Sequence, residues 1–357
     1  MDVTSKLINK VNPFTISFGQ EPANIINRVD PKTVIKDAFL SSNPPSRSYI
    51  ITGVRGSGKT VLLTSICNEF KTFEDWIVVE LNPELDMLEN LASLVYDECN
   101  MKFKFSKKEF PFSFQGLSFS IFGDRPVSSV QSLLDRMFAE INKKGKKVLI
   151  AIDEASNSQN MKSFVHEFQI LVRNKYPVFL LMAGLYENVK SLQDNRTLTF
   201  LYRAQKIDIG PLRLSDIAVS FQKLLGSTKE SSIVLAKLTS GYAFAYQALG
   251  YLLFEEGKTQ IDNEVLQNFD RYLEDFVYEK IWADSSRKEK QVLVGIQKSK
   301  DGSVKSIMNY SKMTAPGFSS YRSILIKKGI VCSPTYGYLA FSLPRFSEFI
   351  DRTITFS

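Results

Sequence analysis

Eight consecutive residues, Gly53-Val54-Arg55-Gly56-Ser57-Gly58-Lys59-Thr60, combine glycines, a lysine and a hydroxyl in the spacing G-x-x-x-x-G-K-[ST]. The spacing suits a polyphosphate. Glycines let the backbone take positive φ and approach phosphate oxygens that a Cβ would keep away. Successive N–H groups then converge as an anion nest, and the positive end of a following helix adds attraction. In this reading Lys59 reaches the β- and γ-phosphates and the Thr60 hydroxyl is a Mg²⁺ ligand. The nucleotide-binding stretch runs from Gly53 through Val61, the first apolar position of the helix that follows.

The flanks agree with this chemistry. Ser48-Tyr49-Ile50-Ile51-Thr52, set off by Asn43-Pro44-Pro45, is a short β-prone run. Val61, Leu62, Ser65, Ile66 and Glu69 keep helical spacing with one apolar face. A second constellation lies downstream. Lys147-Val148-Leu149-Ile150-Ala151-Ile152-Asp153-Glu154 is an apolar run ending in two carboxylates, the pattern of a strand buried on both faces with acids at its C-terminal end, where open parallel sheets bind ligands. Asp153 is assigned to Mg²⁺, through water, and Glu154 to the attacking water as general base.

These motifs need an α/β frame. Trp76–Leu81, Tyr176–Ala183 and Lys206–Ile209 read as further strands, alternating with helices, which predicts a parallel sheet covered on both faces. The Phe-rich segment 101–122 shows two period-two runs, Lys102–Ser106 and Phe110–Phe114, and reads as an inserted β-hairpin. From Leu214 to Trp282 the pattern turns helical, broken at Thr239-Ser240-Gly241-Tyr242. The expected domains are a nucleotide-binding base over 1–212, with an N-terminal arm over 1–47, a helical lid over 213–284 and a winged helix over 285–357.

The 357 residues carry 45 Lys or Arg against 38 Asp or Glu, a net charge of +7. Between Ser285 and Ser357 lie twelve basic and four acidic residues, so the whole excess belongs to the last segment. Concentrated positive charge on a small domain predicts an anionic polymer, here double-stranded DNA. In the helix–turn–helix reading, Ser303 caps a helix to Tyr310, residues 312–317 turn, and Phe318–Lys328 is the recognition helix. Ser319, Ser320, Tyr321 and Arg322 are assigned to base edges, Lys305, Lys312, Lys327 and Lys328 to phosphates, and Tyr336 to the tip of the wing. The alternative is a winged helix that contacts protein. No apolar stretch approaches ~18 residues and no signal peptide is legible, which predicts a cytoplasmic chain without a membrane span. The single His166 and the scattered Cys67, Cys99 and Cys332 leave no zinc pattern.

With these motifs in order, the chain resembles AAA+ ATPases of the origin-initiator type, and prokaryotic AAA-family ATP-binding proteins with a C-terminal winged helix, over nearly its whole length. The resemblance implies that ATP rather than GTP is the nucleotide, with ADP as product and Mg²⁺ as cofactor. It implies that 12–19 and 25–28 form an arm with Arg28 near the base, although Asn27 stands where the family usually has Gly. Arg203, in Leu201-Tyr202-Arg203-Ala204, falls at the position of a candidate arginine finger acting on a neighbouring copy after ATP-driven oligomerisation; holding the lid is the equal alternative. Two departures imply slow hydrolysis: Met182-Ala183-Gly184-Leu185 lacks a polar sensor residue, and Gly241-Tyr242-Ala243-Phe244 lacks the arginine that initiators extend from the lid. A signalling ATPase of the STAND type, with a protein partner for the winged helix, is the rival reading.

Overall fold

The computed structural model describes residues 11–17, 24–26, 28–98, 105–106, 121–122, 125–126, 129–195, 198–299 and 301–355. By compactness the chain divides into two units, Val29–Thr52 with Lys59–Ile209, and Met1–Arg28 with Gly53–Gly58 and Gly210–Ser357.

The first unit is the α/β layer structure. Its elements are α1 (Val29–Leu40), β1 (Ser48–Thr52), α2 (Lys59–Phe70), β2 (Trp76–Leu81), α3 (Met87–Glu98), β3 (Phe105–Ser106), β4 (Ile121–Phe122), β5 (Arg125–Pro126), α4 (Val130–Lys143), β6 (Lys147–Ile152), α5 (Gln159–Arg173), β7 (Val178–Gly184), α6 (Tyr186–Gln193) and β8 (Gln205–Asp208). A five-stranded sheet in the order β2-β6-β7-β1-β8 is parallel throughout. Side chains alternate between its faces. Ile50, Ile150, Leu180 and Met182 point into one core with α3, α4 and α5, while Tyr49, Ile51, Leu149 and Leu181 point into the other with α1 and α2. This is why β1, β6 and β7 read as unbroken apolar runs. The polar β8 is the sheet edge, where one row of backbone groups needs no partner strand.

The insert differs from the expected hairpin. Phe105–Ser106 pairs antiparallel with Ile121–Phe122, which pairs in turn with Arg125–Pro126. The expected second strand, Phe110–Phe114, lies outside the described residues. His166 is exposed on α5.

The second unit is helical, with α7 (Leu214–Leu225), α8 (Lys229–Leu238), α9 (Ala243–Glu255), α10 (Asn263–Leu273), a π-helical turn (Glu274–Tyr278), α11 (Glu279–Asp284), α12 (Arg287–Lys298), α13 (Val304–Ser311), α14 (Ala315–Lys327), β9 (Val331–Cys332), β10 (Ala340–Phe341) and α15 (Phe346–Thr355). One apolar core runs through all of it, from Phe14 of the arm through Tyr246, Phe269, Tyr278 and Leu293 to Phe346. The lid and the last segment, expected as separate domains, therefore share a core. Of the arm, only the part up to Arg28 belongs to this unit; α1 packs in the sheet unit.

The last segment runs helix, helix, helix, then two antiparallel strands. Ser303 bridges to Tyr338, Val304 N–H donates to the Gly337 carbonyl, and Leu339 N–H to the Gly302 carbonyl, which adds a third edge to that hairpin. Ser303 caps α13 by accepting from Ser306 N–H. The expected turn over 312–317 is shorter, because α14 starts at Ala315, with Pro316 in the first turn where its missing N–H goes unneeded. The terminal α15 was not anticipated, although Phe346, Phe349 and Ile350 carry helical spacing.

Candidate functional site

In the sheet unit, parallel pairing puts β7 between β1 and β6. The chain leaves β6 at Asp153. There the Thr60 hydroxyl, in the first turn of α2, donates to Asp153 Oδ2 at 2.6 Å. The two expected Mg²⁺ ligands are thus together before any ion is considered. Glu154 follows with φ 54 and is exposed. A glutamate in the left-handed region costs roughly 1–2 kcal/mol and persists only where its surroundings impose it. They do: Glu154 N–H donates to Asp153 Oδ1 at 2.9 Å, and Ala155 N–H to the Ala183 carbonyl at 2.8 Å. The missing sensor side chain also has a steric reason. A Cβ on Gly184 would sit 3.0 Å from the Ala155 carbonyl oxygen and 3.1 Å from Val189 Cγ2, so a side chain there would have to push its neighbours aside by a few tenths of an ångström. Arg203 ends a 3-10 turn, Thr199–Arg203, and is exposed. Lys59 is half-buried at the start of α2, and Val61 is half-buried after it.

The loop Gly53–Gly58 belongs with the helical unit. Gly56 and Gly58 take φ 74 and 90, as a nest requires. Ser57 N–H closes a turn on the Val54 carbonyl at 3.2 Å, and Ser57 Oγ is buried with no protein partner. Buried hydroxyls are nearly always satisfied, so this orphan fits a phosphate oxygen. In the sheet unit, the Thr60–Asp153 pair by itself has the oxygen donors that suit a divalent cation.

Two further groups hold the loop. Arg28, expected near the base, donates to the Ser57 carbonyl at 2.8 Å and to the Gly210 carbonyl. Burial pushes its pKa down to about 10. Its charge serves backbone carbonyls, so the structure gives it a loop-holding role. Tyr242, which sequence reasoning noted only for not being an arginine, donates its hydroxyl to the Arg55 carbonyl at 2.6 Å. It is buried, and burial drives its pKa far above the usual phenol value. Phe244 N–H donates to the Gly56 carbonyl at 3.1 Å. A Cβ on Gly56 would come within 2.3 Å of the Tyr242 hydroxyl and 3.0 Å of Phe244 Cβ. Gly56→Ala combines that clash with an αL penalty and is expected to weaken nucleotide binding at least tenfold, measured by titration with a fluorescent ATP analogue; unchanged affinity would mean that the loop is not the phosphate site.

The expected DNA-contacting residues fall into three groups. Lys305, Lys312, Lys327, Ser319 and Ser320 are exposed. Tyr321 and Arg322 are half-buried in the second turn of α14, with Arg322 Nη2 3.4 Å from Ser333 Oγ. Lys328 is a correction. Its ammonium lies 2.8 Å from Glu289, with side-chain exposures of 12% and 6%. It is committed to the fold and leaves the phosphate set. Arg345 and Arg352 are likewise paired, both with Asp270 of α10, so part of the positive excess is neutralised internally. Tyr336 is 98% exposed at the tip of the β9–β10 hairpin. No helix among the described residues is long and apolar enough to cross a membrane.

Residues 275–350 match a family model described as a domain of unknown function (DUF8462). No curated protein matches the chain. Among solved structures, the Walker-type ATPase PABY2304 of Pyrococcus abyssi is similar at a TM-score of 0.66 and 12% identity, covering 94% of this chain and 99% of its own. The Aeropyrum pernix ORC2 protein, in ADPNP–ADP complexes, follows at 0.60 and 12% identity, with 95% and 97% covered. Its ADP form gives 0.51 at 11% identity over the same shares. At these identities the likeness is one of fold alone: an α/β domain with a parallel five-stranded sheet, followed by a C-terminal region, as in these ATPase and ORC structures.

Proposed function

We propose that the chain is an ATP-dependent switch, a slow ATPase whose C-terminal domain is a winged helix that binds double-stranded DNA. The observation that carries the nucleotide half is the Thr60–Asp153 hydrogen bond beside a strained Glu154. Hydrolysis divides among the chain's own residues. The backbone of 53–58 and the Lys59 ammonium hold the phosphates. Glu154 takes a proton from water as its oxygen bonds the γ-phosphorus and the bond to the β-γ bridging oxygen breaks, leaving ADP and phosphate. Thr60 and Asp153 would hold Mg²⁺, which when bound neutralises charge on the phosphate oxygens. Arg203, which is exposed on its turn, is assigned to a neighbouring copy in an ATP-bound oligomer, with holding the lid as the equal alternative. The confined Gly184 and the absent lid arginine support slow turnover.

The DNA half rests on the exposed Lys305, Lys312 and Lys327 and on the hairpin that carries Tyr336. Fluorescence anisotropy with duplex DNA across a salt series, with ATP, ADP or no nucleotide, tests it. Binding should weaken steeply with salt. Lys305→Ala with Lys327→Ala should weaken binding about equally on all sequences and flatten the salt slope by about two, whereas Arg322→Ala should alter sequence preference. DNA binding that is absent under every nucleotide would reverse this half and favour a protein partner for the winged helix.

A further inference from the structure

The loop Gly53–Gly58 is held by more than one element of its own unit. Tyr242 and Phe244 bond its carbonyls at Arg55 and Gly56. Gly329, which ends α14 with φ 75, lies against its second residue: a Cβ there would be 3.5 Å from Val54 Cβ and 3.6 Å from Val54 N. The turn that follows α14 thus lies beside the loop at Val54. A second connection starts at Phe244, whose ring lies 6.0 Å from Phe276 in the π-helical turn. Such turns are uncommon and recur at functional sites, because the extra residue loosens the helical ladder. Two residues on, Tyr278 is buried, donates to the Pro344 carbonyl, and stands edge-on to Phe346 of α15 at 4.9 Å. The buried Tyr242 hydroxyl donates to a backbone carbonyl of the loop.

We propose that Tyr242 is a positioning residue that makes the phosphate loop a shared part of the nucleotide site and the C-terminal domain, so that phosphates entering the loop shift the C-terminal domain through Gly329 and the Phe244–Phe276 contact. The inference rests on the nucleotide-binding reading above. It replaces a charged lid contact to the nucleotide with a neutral lid contact to the loop backbone. Linkage then requires that DNA and nucleotide alter each other's affinity by the same factor.

Three proteins test it: the full-length wild type, Tyr242→Phe, which removes only the hydroxyl, and Phe244→Ala, which cuts the half-buried ring contact. ATP affinity is measured with a fluorescent analogue, and amide hydrogen exchange over 315–332 is followed with and without ATP. In the wild type, ATP should change exchange at the α14–β9 junction at least fivefold, the lower range of ordinary coupling. With each variant saturated with ATP according to its own measured affinity, that change should fall to within about twofold. Retention of the full change in both variants would overturn the relay while leaving the nucleotide reading intact. Failure of the wild type to bind ATP would overturn the nucleotide reading itself, and the relay with it. An unchanged junction in an ATP-bound wild type would also overturn the relay. Tyr242→Phe that fails to fold leaves the decision to Phe244→Ala.

Discussion

Glu154→Gln is expected to lower ATP turnover by roughly 10²–10⁴-fold, the range that a positioned general base contributes, while leaving ATP affinity within about twofold. The amide matches the carboxylate in shape and accepts no proton from water. It also leaves the backbone argument intact, since Gln tolerates φ 54 no better and no worse than Glu. Thr60 and Asp153 keep their hydrogen bond in the variant, so the loss belongs to chemistry and not to metal retention. Single-turnover phosphate release beside an equilibrium titration separates the two. Equal phosphate release by variant and wild type would make the chain a nucleotide-holding scaffold, with hydrolysis contributing nothing to its cycle.

Lys328→Ala is expected to destabilise the helical unit by about 3 kcal/mol, the low end for removing one partner of a buried ion pair. Its Glu289 partner is buried and completes a capping box with Ser286 at the start of α12. Burial pushes the Glu289 pKa up, but Lys328 and the Ser286 bonds outweigh it and hold the group below the ordinary carboxylate value. A depressed folded-state pKa gives stability that is present above the unfolded value and lost as pH falls through the folded one. Without Lys328 burial is less opposed and the folded pKa rises. The deficit should therefore be largest near pH 7 and shrink towards pH 4 as Glu289 takes a proton. Urea unfolding at both pH values checks this. Ser286 still bonds Glu289 through its backbone N–H at 2.7 Å, which keeps the cost from the top of the range. A variant as stable as wild type that bound DNA less well would return Lys328 to the phosphate-contacting set.

The contrast between Lys327 and Lys328 shows where sequence reading runs out. Both are lysines at the end of one helix, and composition counts them alike. Their fates differ because α14 turns about 100° per residue, so one ammonium meets water and the next meets Glu289 on α12, roughly 40 positions earlier in the chain. Arg345 and Arg352 repeat the lesson with Asp270. Arg28 also finds its partners, the Ser57 and Gly210 carbonyls, at a distance that no local pattern announces. An ion pair between distant segments leaves no periodic trace, whereas burial of a strand or a helix face does.

The sequence by itself determined the elements and the local chemistry: the glycine loop between strand and helix, the apolar run ending in Asp153-Glu154, the parallel α/β order and the helices that follow. Those are legible because hydrophobic period and loop chemistry are local physical constraints. Only the tertiary structure decided the left-handed backbone at Glu154, the packing that crowds Gly184, the Tyr242 hydroxyl on the loop and Gly329 against Val54. Each of these depends on which surfaces meet when the core closes, and close packing between segments far apart in sequence is decided by shape in three dimensions, which no single stretch of residues encodes.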